Sequence, residues 1–213
     1  MIYNPPAFKV EDLEVLYSHI DRTGLATLVT VSDNGPLISH LPLFLVRNSG
    51  TLGKLVGHLA RGNPQLRESR LEQEAVVIFQ GPDAYISPSW YPTKQEHGKV
   101  VPTWNYAVVH VHGAMQLFED KAGLRAAVDH ITQIQENRFS KPWTATDAPP
   151  DYIDAQLKGI VGIEITIRAI EGKYKLSQNR SVADQLGVID GLGRETSHQE
   201  KTTASLMKKQ LPR

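Results

Sequence analysis

The chain has 213 residues, of which 40% are hydrophobic and 22% charged, enough to bury a core in one or two globular domains. Lys+Arg and Asp+Glu both total 23, so the formal charge is zero, which excludes retention on nucleic acid by bulk positive charge. With no cysteine there is no disulfide, thiol nucleophile or Cys-ligated metal, and a reducing cytoplasm is the expected compartment. The charge is not spread evenly: residues 172–213 carry eight Lys/Arg against four Asp/Glu, giving that end +4 and the remainder −4. The opening Met1-Ile2-Tyr3-Asn4-Pro5-Pro6 lacks the pattern of a signal peptide. Apolar stretches such as 41–46 fall far short of the roughly 20 residues that span a bilayer, so no membrane anchor is expected.

Val10, Leu13, Leu16, Tyr17 and Ile20 recur at helical spacing, with Glu11, Asp12 and Glu14 at the start and Gly24 to close the helix. Strands are predicted over 25–32 and 37–47, joined by the turn Asp33-Asn34-Gly35-Pro36, with Pro42 marking an edge or bulge. Further strands are predicted over 51–58 and 74–80, then over 103–118 with a bend at Gly113. Asp120 caps a helix predicted over 120–139, and a short helix over 151–158 stops at Gly159. Val161, Ile163, Ile165 and Ile167 alternate with polar residues, which is a strand with one buried face. Ser181 then caps a helix over 182–192. Without βαβ alternation, the expected fold is mostly β with peripheral helices: an antiparallel barrel over 1–192, followed by a basic helical or flexible end over 193–213.

Four segments could carry chemistry. Gly57 to Gln65 leaves a strand and enters a predicted helix with Asn63 as N-cap and Pro64 at its first position. A helix start with unpaired N–H groups, joined by the Arg61 guanidinium, suits a phosphate monoester; the alternative is an ordinary capped connection with a solvent-facing Arg. The predicted loop 82–102 and its borders gather Tyr85, Trp90, Tyr91, Trp104 and Tyr106, a surface for a planar ligand, a second small core or a dimer interface. Thr103 and Asn105 share one strand face at the close of that loop. Lys175, Gln178, Asn179 and Arg180 precede a helix and make either an anion-friendly patch or a charged loop. His110-x-His112 has metal-ligand spacing, but two ligands do not make a site and no metal is expected. No nucleophile-elbow, P-loop or dinucleotide-binding glycine motif is present, and no catalytic residue stands out.

Gly57-His58-x-Ala60-Arg61-x-Asn63-Pro64-Gln65, Tyr85-Ile86-Ser87-Pro88-x-Trp90-Tyr91, Val101-Pro102-Thr103-Trp104-Asn105-Tyr106 and Lys175-Leu176-Ser177-Gln178-Asn179 occur in that order. Together they resemble the PaiB-type, FMN-binding negative transcriptional regulator family, over nearly the whole chain to about Leu192. One departure is Gly62, where the family motif has Ala. The resemblance implies an FMN-binding split β-barrel, similar to the pyridoxamine-phosphate-oxidase barrels, forming a homodimer with FMN at the subunit interface. It implies His58, Arg61 and Asn63 at the phosphate or ribityl end of the cofactor. Ser87, Trp90, Thr103, Trp104 and Asn105 would then line the ring side, with Lys175 and Gln178 closing the pocket. It further implies a cytoplasmic negative regulator that senses flavin or redox state. The alternative is an FMN-dependent, flavin-reductase-like oxidoreductase using NAD(P)H. No basic recognition helix is present, so DNA contact has no support from charge; the basic end (Lys201, Lys208, Lys209, Arg213) could touch DNA but reads more readily as a solvated tail.

Overall fold

The computed structural model describes residues 2–211. Met1 and Arg213, which belong to the N-terminal stretch and the basic end considered above, lie outside them. In chain order the elements are β1 (Lys9–Val10), α1 (Leu13–Arg22), β2 (Ala26–Ser32), β3 (Gly35–Leu41), β4 (Leu43–Val46), β5 (Lys54–Ala60), α2 (Gln65–Glu68), β6 (Glu74–Ile86) and α3 (Thr93–His97). They continue with β7 (Thr103–Phe118), α4 (Lys121–Glu136), α5 (Pro150–Leu157), β8 (Ile160–Lys175), α6 (Val182–Arg194) and α7 (His198–Gln210). The strands form one eight-stranded sheet in the order β3-β2-β6-β7-β8-β5-β4, with β1 pairing β8 off this path. The pairings β1–β8, β2–β3, β2–β6, β4–β5 and β5–β8 are antiparallel, as expected of a β-rich chain without βαβ units.

Several elements differ in extent from the sequence reading, each for a physical reason. The run 37–47 is two strands, β3 and β4, interrupted at Pro42, which has no N–H to give the ladder. β7 passes through Gly113 unbroken. That glycine serves close approach: a Cβ there would lie 2.3 Å from the Thr166 carbonyl oxygen. β6 continues through Gln80-Gly81-Pro82-Asp83 to Ile86, so the predicted loop shortens to 87–102 and holds a 3-10 turn (Pro88–Trp90) and α3. The helix expected after Asn63 is a single turn, α2. Asp120 and Ser181 cap α4 and α6 as expected, their side chains accepting from the Gly123 and Asp184 N–H groups.

The chain forms two compact units, to both of which β6, β7 and β8 contribute residues. One comprises 17–79 and 110–170. Its interior is the alternating face of β2, β5 and β8 (Leu28, Leu55, Ile163, Ile165) together with Val77 and Phe79 of β6, all essentially solvent-free. A satellite cluster of Leu124, Ala145, Ile153 and Leu157, with Phe118 and Ile160, seats α4 and α5. The other unit comprises residues 2–16, 80–109 and 171–211. Its core is Ile86, Tyr91, Tyr174, Leu176, Val188 and Leu192, with Ala204 and Met207 of α7 packed into it.

His19 on α1 is buried, with Nε2 3.0 Å from the Phe79 carbonyl oxygen, and burial holds its pKa below the ordinary histidine value. Burial lowers the His58 pKa as well. A group whose folded-state pKa is depressed contributes stability that is complete above the unfolded value of about 6.5 and is lost as pH falls through the folded one. Thermal unfolding from pH 7.5 down to 5 is therefore expected to show a steady loss of Tm below about pH 6.5, with a shallower slope in His19→Gln. An identical slope in that variant would remove His19 as a contributor.

Candidate functional site

In the first unit, β5 ends where the first motif begins. His58 sits opposite Gly162 of β8, on the same strand face as Lys54 and Val56. Its Nδ1 is buried and has no hydrogen-bond partner, which calls for a functional or ligand-based account. Because burial lowers its pKa, the imidazole is neutral at pH 7 and can both donate and accept.

Arg61 follows β5 directly. Its Nε donates to the Lys158 carbonyl at 2.8 Å, Nη2 to the Ile160 carbonyl at 3.1 Å, and Nη1 to the Glu119 carboxylate at 2.6 Å. The two carbonyl bonds fix the plane of the guanidinium, whereas the Glu119 pair is exposed on both sides and contributes little. A dianionic phosphate can displace Glu119 from Nη1 without disturbing that orientation.

Asn63 is committed locally: its Oδ1 accepts from the Gln65 N–H at 2.9 Å and its Nδ2 donates to Ser39 Oγ at 2.9 Å. Gln65, which is buried, donates to Thr30 Oγ1 and the Leu37 carbonyl and so pins the single turn of α2 to the sheet. The backbone N–H groups of Arg61, Asn63 and Leu66 also have carbonyl acceptors. The free helix-start donors expected here are thus already used, and the anion-binding capacity of this segment rests on Arg61.

The second unit holds the other seven expected residues. Lys175 Nζ donates to Thr103 Oγ1 at 2.6 Å and to the Trp104 carbonyl, bringing three of them together. Burial, reinforced by the positive charges of Lys173 and Arg180, pushes the Lys175 pKa down. Trp104 is 54% exposed and meets the Tyr85 ring edge-on at 6.0 Å, a flat aromatic surface open on one side.

The remaining four have structural engagements. Asn105 is fully buried, with Nδ2 donating to Ser177 Oγ at 2.9 Å and to Met207 Sδ at 3.4 Å. Gln178 ties its own turn, accepting from the Leu176 N–H at 2.7 Å and donating to the Tyr174 carbonyl at 2.5 Å. Ser87 caps the 3-10 turn through the Ser89 N–H. Trp90 lies against α6, where a Cβ at Gly191 would come within 2.4 Å of its ring and one at Gly187 within 2.1 Å of its carbonyl oxygen.

Two residues outside the expected set stand out. Ser177 takes a left-handed backbone (φ 67°) while buried, a strained setting stabilised by its bonds with Asn105. The Tyr91 hydroxyl is buried without a hydrogen-bond partner, and the Arg180 guanidinium lies 5.1 Å from the ring centre. Both residues fell within quoted motifs, but a positive φ at serine and an orphaned hydroxyl leave no mark in a single sequence.

Each unit, taken by itself, offers chemistry that suits part of a flavin mononucleotide. Arg61 provides an oriented, displaceable cation for a phosphate, and His58 provides an unpartnered ring nitrogen for a hydroxyl. Trp104 with Tyr85 offers aromatic surface, and Lys175 an ammonium beside it.

The comparisons with known proteins agree with that chemistry. A family model described as "Putative FMN-binding domain" matches residues 2–169. The chain is 35% identical over 210 residues to the Bacillus subtilis "Protease synthase and sporulation protein PAI 2", covering 99% of this chain and 98% of that one. Among solved structures, the FAD- and haem-binding protein from Mycobacterium smegmatis matches with a TM-score of 0.57 at 17% identity, covering 84% of this chain and 78% of the other. The flavocytochrome Anf3 from Azotobacter vinelandii matches with a TM-score of 0.53 at 14% identity, covering 78% and 69%. These two likenesses carry the fold, a split β-barrel. The chain therefore belongs to the PaiB-type FMN-binding family, whose cofactor is FMN.

Proposed function

We propose that this protein is a homodimeric, cytoplasmic regulator that holds FMN by its phosphate end through His58 and Arg61 and responds to flavin or redox state. The observation that carries the binding assignment is the Arg61 guanidinium, held in plane by two carbonyls, three residues after a His58 whose Nδ1 is buried and unpartnered. FMN, when bound, supplies hydride and electron chemistry; the protein supplies position and charge. His58 would hydrogen-bond the cofactor as a neutral imidazole and Arg61 would take the phosphate. Support for a second copy comes from Trp104, Tyr85 and Val101, which are 54%, 47% and 63% exposed. Apolar side chains so exposed and so close in sequence mark an association surface. The regulatory role is supported by the similarity to the B. subtilis sporulation protein across its length. No helix among the described residues is long and apolar enough to cross a membrane.

The test is an absorption spectrum of gently purified protein together with its native mass. One FMN per chain in a dimer, bleached by NADH or NADPH without sustained turnover on an added acceptor, is the expected result. Steady turnover would convert the assignment to a flavin reductase. Colourless protein that takes up no FMN at micromolar concentration would overturn it.

A further inference from the structure

α4 is seated through Leu124 and Val128, and beside that seam its side chains are small. Gly123, Ala126 and Ala127 occupy positions i, i+3 and i+4, with Ala126 exposed, and His130 occupies i+7, so this flank of the helix borders open space that its side chains do not fill. The space left is a cavity of about 700 Å³, within the range of small-molecule sites. Phe44 and Val56 line it from β4 and β5, and Phe118 from β7. The Phe44 and His130 rings meet at 4.3 Å and form an aromatic wall.

Set into this apolar lining is an ion pair, Lys54 Nζ to Glu164 Oε2 at 2.6 Å, whose side chains are only 27% and 28% exposed. Partial desolvation removes much of the reason to keep such a pair for stability, since apolar side chains of similar volume would serve as well. It does leave an ammonium with unused N–H donors next to a carboxylate with unused lone pairs, both facing one cavity. A ligand edge that offers a carbonyl acceptor beside an N–H donor satisfies both groups at once. The lining also has two carboxylates, Glu164 and Asp120, against one ammonium, which disfavours phosphates and carboxylates.

We infer that the α4 cavity is a second small-molecule site, distinct from the residues assigned to FMN, which takes a neutral planar heteroaromatic ring with a lactam or imide edge. Lys54 donates to the ring carbonyl, Glu164 accepts from the ring N–H, and the ring face lies along Phe44 and His130. A site of this kind gives the flavoprotein an effector or substrate of its own, recognised by its uncharged edge rather than by a phosphate.

The probe is pterin, fluorescent and neutral at pH 7, titrated into full-length protein with and without saturating FMN. One pterin per chain, with affinity unchanged by FMN, is expected. The anionic pterin-6-carboxylate should bind at least about tenfold more weakly, because it meets two carboxylates. Lys54→Met with Glu164→Met, which leaves no unpaired charge, should weaken pterin by at least about tenfold while naphthalene still binds. Ala126→Leu, at an exposed helix position that tolerates a larger side chain, should occlude the cavity and abolish both. The inference is overturned if pterin shows no saturable binding up to about 1 mM, a free energy of only about 4 kcal/mol. It is equally overturned if FMN displaces pterin, if the carboxylate binds as well as the parent ring, or if the double variant binds pterin unchanged. Failure of FMN binding with pterin binding intact would remove the flavin assignment and leave this one standing.

Discussion

Arg61→Ala is expected to weaken FMN binding by about 1.5–3 kcal/mol, the value of a charge-assisted hydrogen bond to a buried or half-buried partner. Only one of its three bonds, that to Glu119, is open to exchange for a ligand; the other two go to the Lys158 and Ile160 carbonyls. The substitution therefore has a second consequence. It leaves two carbonyls, one at the end of α5 and one at the start of β8, without their donor, which costs a further fraction of stability even in the absence of flavin. Arg61→Lys separates the two effects, since an ammonium keeps the charge but cannot reach both carbonyls and a phosphate as a planar fork does. Flavin fluorescence titration reads the affinity and thermal unfolding of flavin-free protein reads the structural part. If Arg61→Ala bound FMN with wild-type affinity, Arg61 would be a structural residue only, and the phosphate would have to be held elsewhere.

Trp90→Ala is expected to cost about 3–5 kcal/mol of stability, because the indole fills the space into which α6 is set. The closeness of that contact is measured by Gly191, where an added Cβ would come within 2.4 Å of the ring. Gly191→Val in the native background should itself cost about 1–3 kcal/mol through overpacking. Combined with Trp90→Ala the same valine enters the space vacated by the indole, so the double variant should be less destabilised than the sum of the singles. Urea denaturation of the four proteins checks this; strict additivity would mean that Trp90 and α6 do not touch in solution.

Trp90 also shows how a residue type can be legible while its employment is not. Its place in a Pro- and aromatic-rich segment pointed equally to a ligand shelf, a small core or a dimer interface, and the glycines against which its ring packs lie about 100 residues downstream in α6. The same holds for Asn105 and Gln178. Both lie in motifs where amide groups suit a ligand, and both are engaged, Asn105 by Ser177 and Met207, Gln178 by its own turn. What a side-chain amide bonds to is set by which backbone and side-chain groups the fold leaves over, and a local pattern carries no record of that.

Periodicity and local chemistry were enough, by themselves, to determine the β-rich antiparallel class, the hairpin at Asn34-Gly35, the full span of β7 and the caps at Asp120 and Ser181. All of these are fixed by interactions within a few residues or by one buried face. Motif order likewise determined the family. Tertiary structure alone decided the rest. β8 runs on past the alternating stretch to Lys175, where β1 pairs with Gly172 and Lys173, and β6 runs on through a Gly-Pro pair that reads as loop. It also decided that α2 stops after one turn, that Arg61 points its fork at two carbonyls, and that small residues on α4 leave a cavity beside its packed seam. Each of these depends on partners distant in sequence, whose proximity is a property of the folded chain and not of any local stretch of it.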